Sequence, residues 1–222
     1  MAVVFAGPSF LKRDLANIDT ALFDLRPPVK RGDVPQAIAD GHTLVGIIDG
    51  EFYQRLAVSP KEVLAALNAG VTVVGGASMG ALRAAELHPY GMVGIGQIYQ
   101  WYRTGAVTRD DDVGVTYAVD DDGDYRLLST PMVNVMWVTR TAAAAGWLDP
   151  ATRRRITLAA RRIPWAERTW RGVCLAAGLR DDLTRRLLHY AADPEHDRKR
   201  LDALAVVDSL ASVLSGTTSN RI

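Results

Sequence analysis

The sequence predicts an α/β fold: a Rossmann-like three-layer core around a mainly parallel sheet, followed by an α-helical C-terminal region. Three observations carry this. Short apolar runs at residues 3–6, 43–48 and 71–74 lack polar alternation, as expected of strands buried on both faces of a parallel sheet. Helical segments separate them, and strand, helix, strand, helix in that order implies parallel pairing through crossover connections. Beyond Thr130-Pro131 the pattern is helical to the end, with Gly146, Asp149-Pro150, Pro164, Gly178 and Pro194 as breaks. The expected organisation is a core domain at 1–128, a helical region at 129–214 and a disordered tail at 215–222.

The first run ends at Gly7-Pro8-Ser9, a turn that would face any site at that end of the sheet. Residues 19–25 read equally as strand or loop, and Arg26-Pro27-Pro28 stops regular structure because proline lacks an amide donor. Gly32-Asp33 then opens a helix over about residues 34–40. The second run ends at Asp49-Gly50-Glu51, which places carboxylates at the strand end where open α/β sheets hold ligands. Ser59-Pro60-Lys61-Glu62 is a capping box with proline at the first helical position, so a helix runs from there to a stop at Gly70. The third run leads through two glycines into a helix that His88-Pro89 stops. Residues 94–103 carry Ile98, Trp101 and Tyr102 at helical spacing, an aromatic stripe that reads as core. Asp120-Asp121-Asp122-Gly123-Asp124 reads as a solvated hairpin turn between strands within 113–119 and 125–128.

Charge and composition remove several classes of function. The 222 residues carry 26 Lys and Arg against 25 Asp and Glu, a net charge of +1, so nothing draws the chain as a whole to nucleic acid. Arginines nevertheless gather in the C-terminal third, among them Arg153, Arg154, Arg155, Arg161, Arg162, Arg168 and Arg171, and such a face suits an acidic partner. No apolar run is long enough to cross a bilayer and the first residues lack a basic leader, so a cytoplasmic protein with no membrane partner is expected. Cys174 is the only cysteine, which rules out an internal disulfide and a cysteine-based zinc cluster; its apolar neighbours mark it as core filler. Asp110-Asp111-Asp112 offers oxygen ligands, but such clusters without defined partners are usually solvated. Neither a metal nor a cofactor is expected.

Residues 71–87, VTVVGGASMGALRAAEL, hold the chemistry. Gly76-Ala77-Ser78-Met79-Gly80 fits G-x-S-x-G, a strand–turn–helix serine elbow in which small residues let the chain reverse and present Ser78. The same residues also suit a plain helix start, which needs small residues and a polar cap. With Ser78 as nucleophile, the Met79 N–H at the helix start would face a developing oxyanion, aided by the helix dipole. No Ser-His-Asp triad assembles around it. His88 lies ten residues further along the same helix, roughly 15 Å away at about 1.5 Å per residue. His42 precedes the second strand, at the opposite edge of the sheet, and His189 and His196 lie in the helical region. Asp49 and Glu51 are nearer, and either would orient a water or accept a proton, with a loop cap as the plainer role. Arg83 and Glu86 are spaced for a local ion pair, with anion binding by Arg83 as the sharper alternative. The amides from Gly75 to Gly80 would hold a phosphate or carboxylate even without a nucleophilic serine.

Taken together, several motifs resemble those of the TfuA-like proteins over roughly residues 3–119. They are Gly7-Pro8-Ser9, Arg26-Pro27-Pro28 with Arg31-Gly32-Asp33, Gly46-Ile47-Ile48-Asp49-Gly50, the whole run from Gly75 to Leu87, Gly91-Met92-Val93-Gly94 and Asp110-Asp111-Asp112-Val113. The resemblance implies a partner of YcaO enzymes, which activate a peptide backbone amide with ATP, in thioamide formation on ribosomally made, post-translationally modified peptides. It further implies that the TfuA-like member supplies or releases sulfur from a ThiS-like carrier ending in a thiocarboxylate. Carried onto this chain, Ser78 is the central residue, Asp49 and Glu86 are its catalytic neighbours, and Gly7, Ser9, Gly76, Met79 and Arg83 are binding residues. The chain departs from the pattern in having no histidine within Ser59-Pro60-Lys61-Glu62 or just after Asp112.

Two functional expectations follow from that resemblance. One is hydrolysis of a protein thiocarboxylate, with attack at the acyl carbon and release of sulfide. The other is a non-catalytic subunit that docks YcaO and the carrier through an anion-binding helix N-terminus. An ordinary serine esterase ranks last, since no triad can be assembled.

Overall fold

The computed structural model describes residues 1–19, 21–52 and 57–216. From residue 217 on, the tail expected at 215–222 lies outside the described residues. The chain divides into two compact units, Met1–Val107 joined by the segment from Arg200, and Thr108–Lys199.

The first unit runs β1 (Ala2–Phe5), α1 (Lys12–Leu15), β2 (Phe23–Arg26), α2 (Asp33–Ala39), β3 (Leu44–Ile47), α3 (Pro60–Asn68), β4 (Thr72–Gly76), α4 (Met79–Leu87), β5 (Val93–Ile95) and α5 (Gly96–Thr104). The strands form one parallel sheet in the order β2-β1-β3-β4-β5. Its register sets Val4 opposite Gly46, Gly46 opposite Val74, and Val74 opposite Val93. Every residue of β1 and β3 is buried, which is why these runs show no alternation. The α/β core with a mainly parallel sheet is as the sequence predicts.

Two segments differ from, or resolve, the sequence reading. The ambiguous 19–25 stretch contributes the edge strand β2, of which only Phe23 is buried. The stretch expected as one helix over 94–103 divides into β5 and α5. A three-residue edge strand centred on Gly94 has no apolar run to announce it. The glycine is nonetheless required, because a Cβ at 94 would collide with the Tyr99 ring.

Both faces of the sheet are covered by helices. The capping box opens α3 as predicted: the Ser59 hydroxyl accepts from the Glu62 N–H and the Glu62 carboxylate accepts from the Ser59 N–H. Helices α3 and α4 lie against β4, with α2 beside α3. The opposite face is covered by α10 (Arg198–Leu214), whose Ala203, Val206, Val207 and Leu210 share a core with Val4, Ile48 and Val74. A Cβ at Gly46 would meet the Leu210 side chain at 2.5 Å, so glycine there lets α10 sit close on the sheet. The last helix of the C-terminal region thus belongs to the α/β core, which helical periodicity alone does not reveal.

The second unit begins with a 3₁₀ turn at Asp110–Asp112 and an antiparallel hairpin, β6 (Tyr117–Val119) and β7 (Tyr125–Leu127). Its turn is held as expected, with Gly123 at φ 82° and the Asp120 carboxylate accepting from the N–H groups of Asp122 and Asp124. Four helices follow, α6 (Met132–Ala144), α7 (Pro150–Arg162), α8 (Trp170–Ala176) and α9 (Asp181–Ala192). They bury Val135, Val138, Ile156, Val173, Cys174 and Leu187 among themselves. No described helix is long and apolar enough to cross a membrane.

Candidate functional site

In a sheet ordered 2-1-3-4-5 the chain reverses its direction of winding between β1 and β3, and ligands of such folds bind beyond the carboxyl ends of those strands. Asp49 follows β3 at that point and is 2% exposed. Its Oδ2 accepts from the N–H of Gly7 at 3.0 Å and of Ser9 at 2.9 Å, and its Oδ1 accepts from the Ser9 hydroxyl at 2.7 Å. The Asp49 N–H donates to the Phe5 carbonyl and its carbonyl accepts from Val29 N–H. Asp49 therefore fixes the loop after β1, and Gly7, Ser9 and Asp49 form one buried constellation. Glu51 is half-buried beyond it, its N–H donating to the Val29 carbonyl at 3.0 Å.

The elbow stands on the adjoining strand. After β4 the chain turns at Ala77, whose φ of 63° is the left-handed value that an alanine adopts only under constraint. Strain at this turn is thus held one residue before the serine. The Ser78 N–H donates to the Gly76 carbonyl at 2.8 Å, and the Ser78 carbonyl accepts from Ala81 and Leu82 N–H. Its side chain makes no cap hydrogen bond, is 1% exposed, and has no hydrogen-bond partner among the described residues.

The glycines of the motif have packing reasons of their own. A Cβ at Gly80 would fall on the Ile47 carbonyl oxygen, and one at Gly76 would meet Val206 Cγ2 at 2.6 Å and the Ile95 carbonyl oxygen at 2.7 Å. With Gly80 that close to β3, its N–H donates to the Ile48 carbonyl at 3.2 Å. Gly50 likewise leaves no room for a Cβ, which would meet Met79 Cγ at 2.8 Å. The start of α4 is therefore pressed against the residues flanking Asp49. Of its first amides, Gly80 is taken by the sheet, and Ala81 and Leu82 by the Ser78 carbonyl. The Met79 N–H has no acceptor among the described residues. An unpartnered helix-start amide of this kind is one from which an anion can accept.

Arg83 and Glu86 form the local ion pair that their spacing allows, at 2.7 Å. Arg83 Nε also donates to the Val58 carbonyl at 3.0 Å, and the Arg83 side chain is 12% exposed against 40% for Glu86. Glu86 lies eight positions beyond Ser78 along the helix, a rise of about 12 Å. The structure brings Gly7, Ser9 and Asp49 together, and Gly76, Ser78 and Met79 beside them, but places Glu86 with Arg83 instead. The histidines of this unit are engaged elsewhere: His42 Nε2 lies 3.1 Å from Asp24 Oδ2, and His88 Nδ1 lies 3.1 Å from the Tyr99 hydroxyl.

Two buried carboxylates of this unit gave no sequence signal. Asp202, wholly buried on α10, accepts from the N–H groups of Gln97 and Ile98 at 2.9 and 2.7 Å and so caps α5 from a distant part of the chain. Asp14 accepts two hydrogen bonds from Arg200, at 2.8 and 2.7 Å. Burial alone would raise its pKa, but the Arg200 pair and the Leu11 N–H outweigh it, and the carboxyl titrates below its ordinary range.

In the second unit two of the three clustered aspartates are each held by an arginine. Asp111 accepts a bidentate pair from Arg109, at 2.9 and 2.7 Å, and Asp112 is bound by Arg161. Among the described residues no three His, Cys, Asp or Glu side chains converge as metal ligands would. Cys174 is buried in the helical core, and burial pushes its thiol pKa up.

No curated protein matches the sequence. The model of the TfuA-like protein family does, over residues 49–169, a span that opens on Asp49 and covers the elbow and α7. That is more than half of the chain and includes the buried carboxylate and the serine turn described above. The chain therefore belongs to the TfuA-like family, whose members serve as accessory partners of YcaO enzymes in thioamidation.

Proposed function

We propose that this protein releases or delivers sulfur, as sulfide, from a thiocarboxylated ThiS-like carrier to a YcaO-catalysed thioamidation, and that Ser78 is the group that attacks the acyl carbon. The observation behind this reading is the uncommitted pair at the start of α4, a buried Ser78 hydroxyl and the adjacent Met79 N–H, set against the switch point held by Asp49. In the step, Ser78 Oγ bonds to the carbonyl carbon of R–C(=O)–S⁻ and the C–S bond breaks. Sulfur leaves as HS⁻, taking the hydroxyl proton, and water then cleaves the ester to the carboxylate and restores the serine. The oxyanion formed in each half would be met by the Met79 N–H and the positive end of α4. Asp49 acts by holding Gly7 and Ser9 at the mouth of the site, and Glu86 by holding Arg83.

A second reading is supported by the absence of a base bonded to Ser78 among the described residues: the protein docks YcaO and the carrier and only cradles the anionic terminus. One experiment separates the two. The purified protein is mixed with thiocarboxylated carrier and sulfide is measured over time, for wild type and Ser78→Ala. Loss of release in Ser78→Ala supports attack by the serine. No release by either protein, with stimulation of thioamidation retained in a reconstituted YcaO reaction, selects docking.

A further inference from the structure

The second unit holds a polar cavity of about 290 Å³ whose walls include Arg109, Arg161, Arg162, Arg168, Asp111 and Asp112. Four guanidinium groups against two carboxylates leave it net positive by two charges. Three of these side chains are tied down. Arg109 grips Asp111, Arg161 grips Asp112, and Arg168, itself 4% exposed, donates to the carbonyls of Ala160, Ile163 and Thr130. Arg168 thereby closes the C-terminal end of α7. The exposed Arg162 has no ion-pair or hydrogen-bond partner among the described residues.

The decisive atom is Asp112 Oδ2. Asp112 is 2% exposed, its Oδ1 is met by Arg161, and its Oδ2 is buried without a hydrogen-bond partner among the described residues. A buried acceptor of this kind costs stability until a donor reaches it. The arginines around it ask for the reverse, an anion with acceptor oxygens. A ligand that satisfies both carries negative oxygens and one acidic hydrogen. Sulfate at neutral pH has no such hydrogen, and neither does the dianion of a phosphate monoester. Inorganic phosphate keeps one P–O–H group.

We propose that this cavity is a binding site for inorganic hydrogenphosphate, with its P–O–H donating to Asp112 Oδ2 and its remaining oxygens accepting from Arg162 and Arg161. Selection rests on the proton: Asp112 accepts from hydrogenphosphate and repels an oxyanion that lacks a donor. The cavity is several times larger than one tetrahedral ion, so phosphate enters with part of its water shell. The proposal does not rest on Ser78 or on the sulfur chemistry.

Calorimetric titration of the full chain with inorganic phosphate, sulfate and methyl phosphate at pH 8, in a chloride buffer of constant ionic strength, tests this. Phosphate should bind at least tenfold more tightly than the other two. Asp112→Asn, whose amide donates where the carboxylate accepted, should reduce that preference to threefold or less by tightening sulfate binding. Arg162→Ala, an exposed change that leaves folding intact, should weaken phosphate at least fivefold and decides the matter should Asp112→Asn not fold. No phosphate binding up to about 10-millimolar levels, sulfate or methyl phosphate binding as tightly as phosphate, or unaltered phosphate affinity in Arg162→Ala would each overturn the proposal.

Discussion

Asp49 and Asp112 are equally buried, each at 2% exposure, yet their surroundings are opposite. Asp49 accepts from two backbone amides and a hydroxyl and sits in a sheet-end geometry that supplies those donors for structural reasons. Asp112 has one arginine on one oxygen and no partner on the other among the described residues, and burial raises its pKa despite Arg161. Burial alone therefore says little about what a carboxylate is for. A fully satisfied one clamps the backbone around it, whereas a half-satisfied one beside arginines is where we propose that a ligand completes the coordination.

That contrast is broken most strongly at the clamp. Asp49→Ala strands two amides and a hydroxyl in a buried site, and should lower the stability of the first unit by about 3 kcal/mol in urea unfolding. A loss below about 1 kcal/mol would show that the loop after β1 does not depend on the carboxylate. At the half-satisfied site, Arg161→Met removes the counterion of Asp112. The expected cost is about 2 kcal/mol, less than for a wholly buried pair because the Arg161 side chain is 33% exposed. Thermal unfolding would read it, and a double variant with Asp112→Asn should recover most of the loss.

Smaller effects sharpen the same point. Ser9→Ala removes one of three donors to Asp49 and leaves the two amides, so a loss of about 1 kcal/mol is expected by the same unfolding measurement. The pH response distinguishes carboxylates by sign. The Asp112 pKa is raised in the folded state, so the folded protein binds the extra proton, and the associated stability is lost as pH rises from the ordinary carboxylate range through the raised value. Asp112→Asn should therefore gain melting temperature relative to wild type between pH 3 and pH 7. Asp14, whose pKa is lowered by its Arg200 pair against the opposing effect of burial, should show the reverse sign at lower pH: Asp14→Asn loses ground to wild type as pH rises from the lowered value to the ordinary carboxylate range, and the difference is constant above it. Parallel curves for the two variants would contradict this assignment of causes.

Much of the first unit was legible in the sequence because its signals are local. The buried strands, the capping box at Ser59-Glu62 and the turn at Ser78 each declare themselves within a few residues. The position of Asp49 at a strand end was legible too, but its donors were not, since Gly7 and Ser9 reach it only through the pairing of β1 with β3. The same limit hid Asp202, which caps α5 across 105 positions of sequence, and the return of α10 to the sheet. It also hid why the motif needs glycine at 76 and 80. The pattern suggests room for a nucleophile, whereas the structure adds the Val206 side chain and the Ile47 carbonyl as neighbours that exclude a Cβ. Glu86 was placed near the chemistry by its motif, and helical rise with the Arg83 pair sets it apart from Ser78.

The most direct test of the central claim is to trap the acyl group on the protein. Thiocarboxylated carrier is mixed with an equal amount of the protein, quenched in acid within seconds and examined by intact mass and peptide mapping. Attack by Ser78 predicts a species equal to protein plus carrier minus H₂S, with the link on the peptide that contains Ser78, and none in Ser78→Ala. Sulfide release by Ser78→Ala at the wild-type rate, with no adduct in either protein, would contradict it.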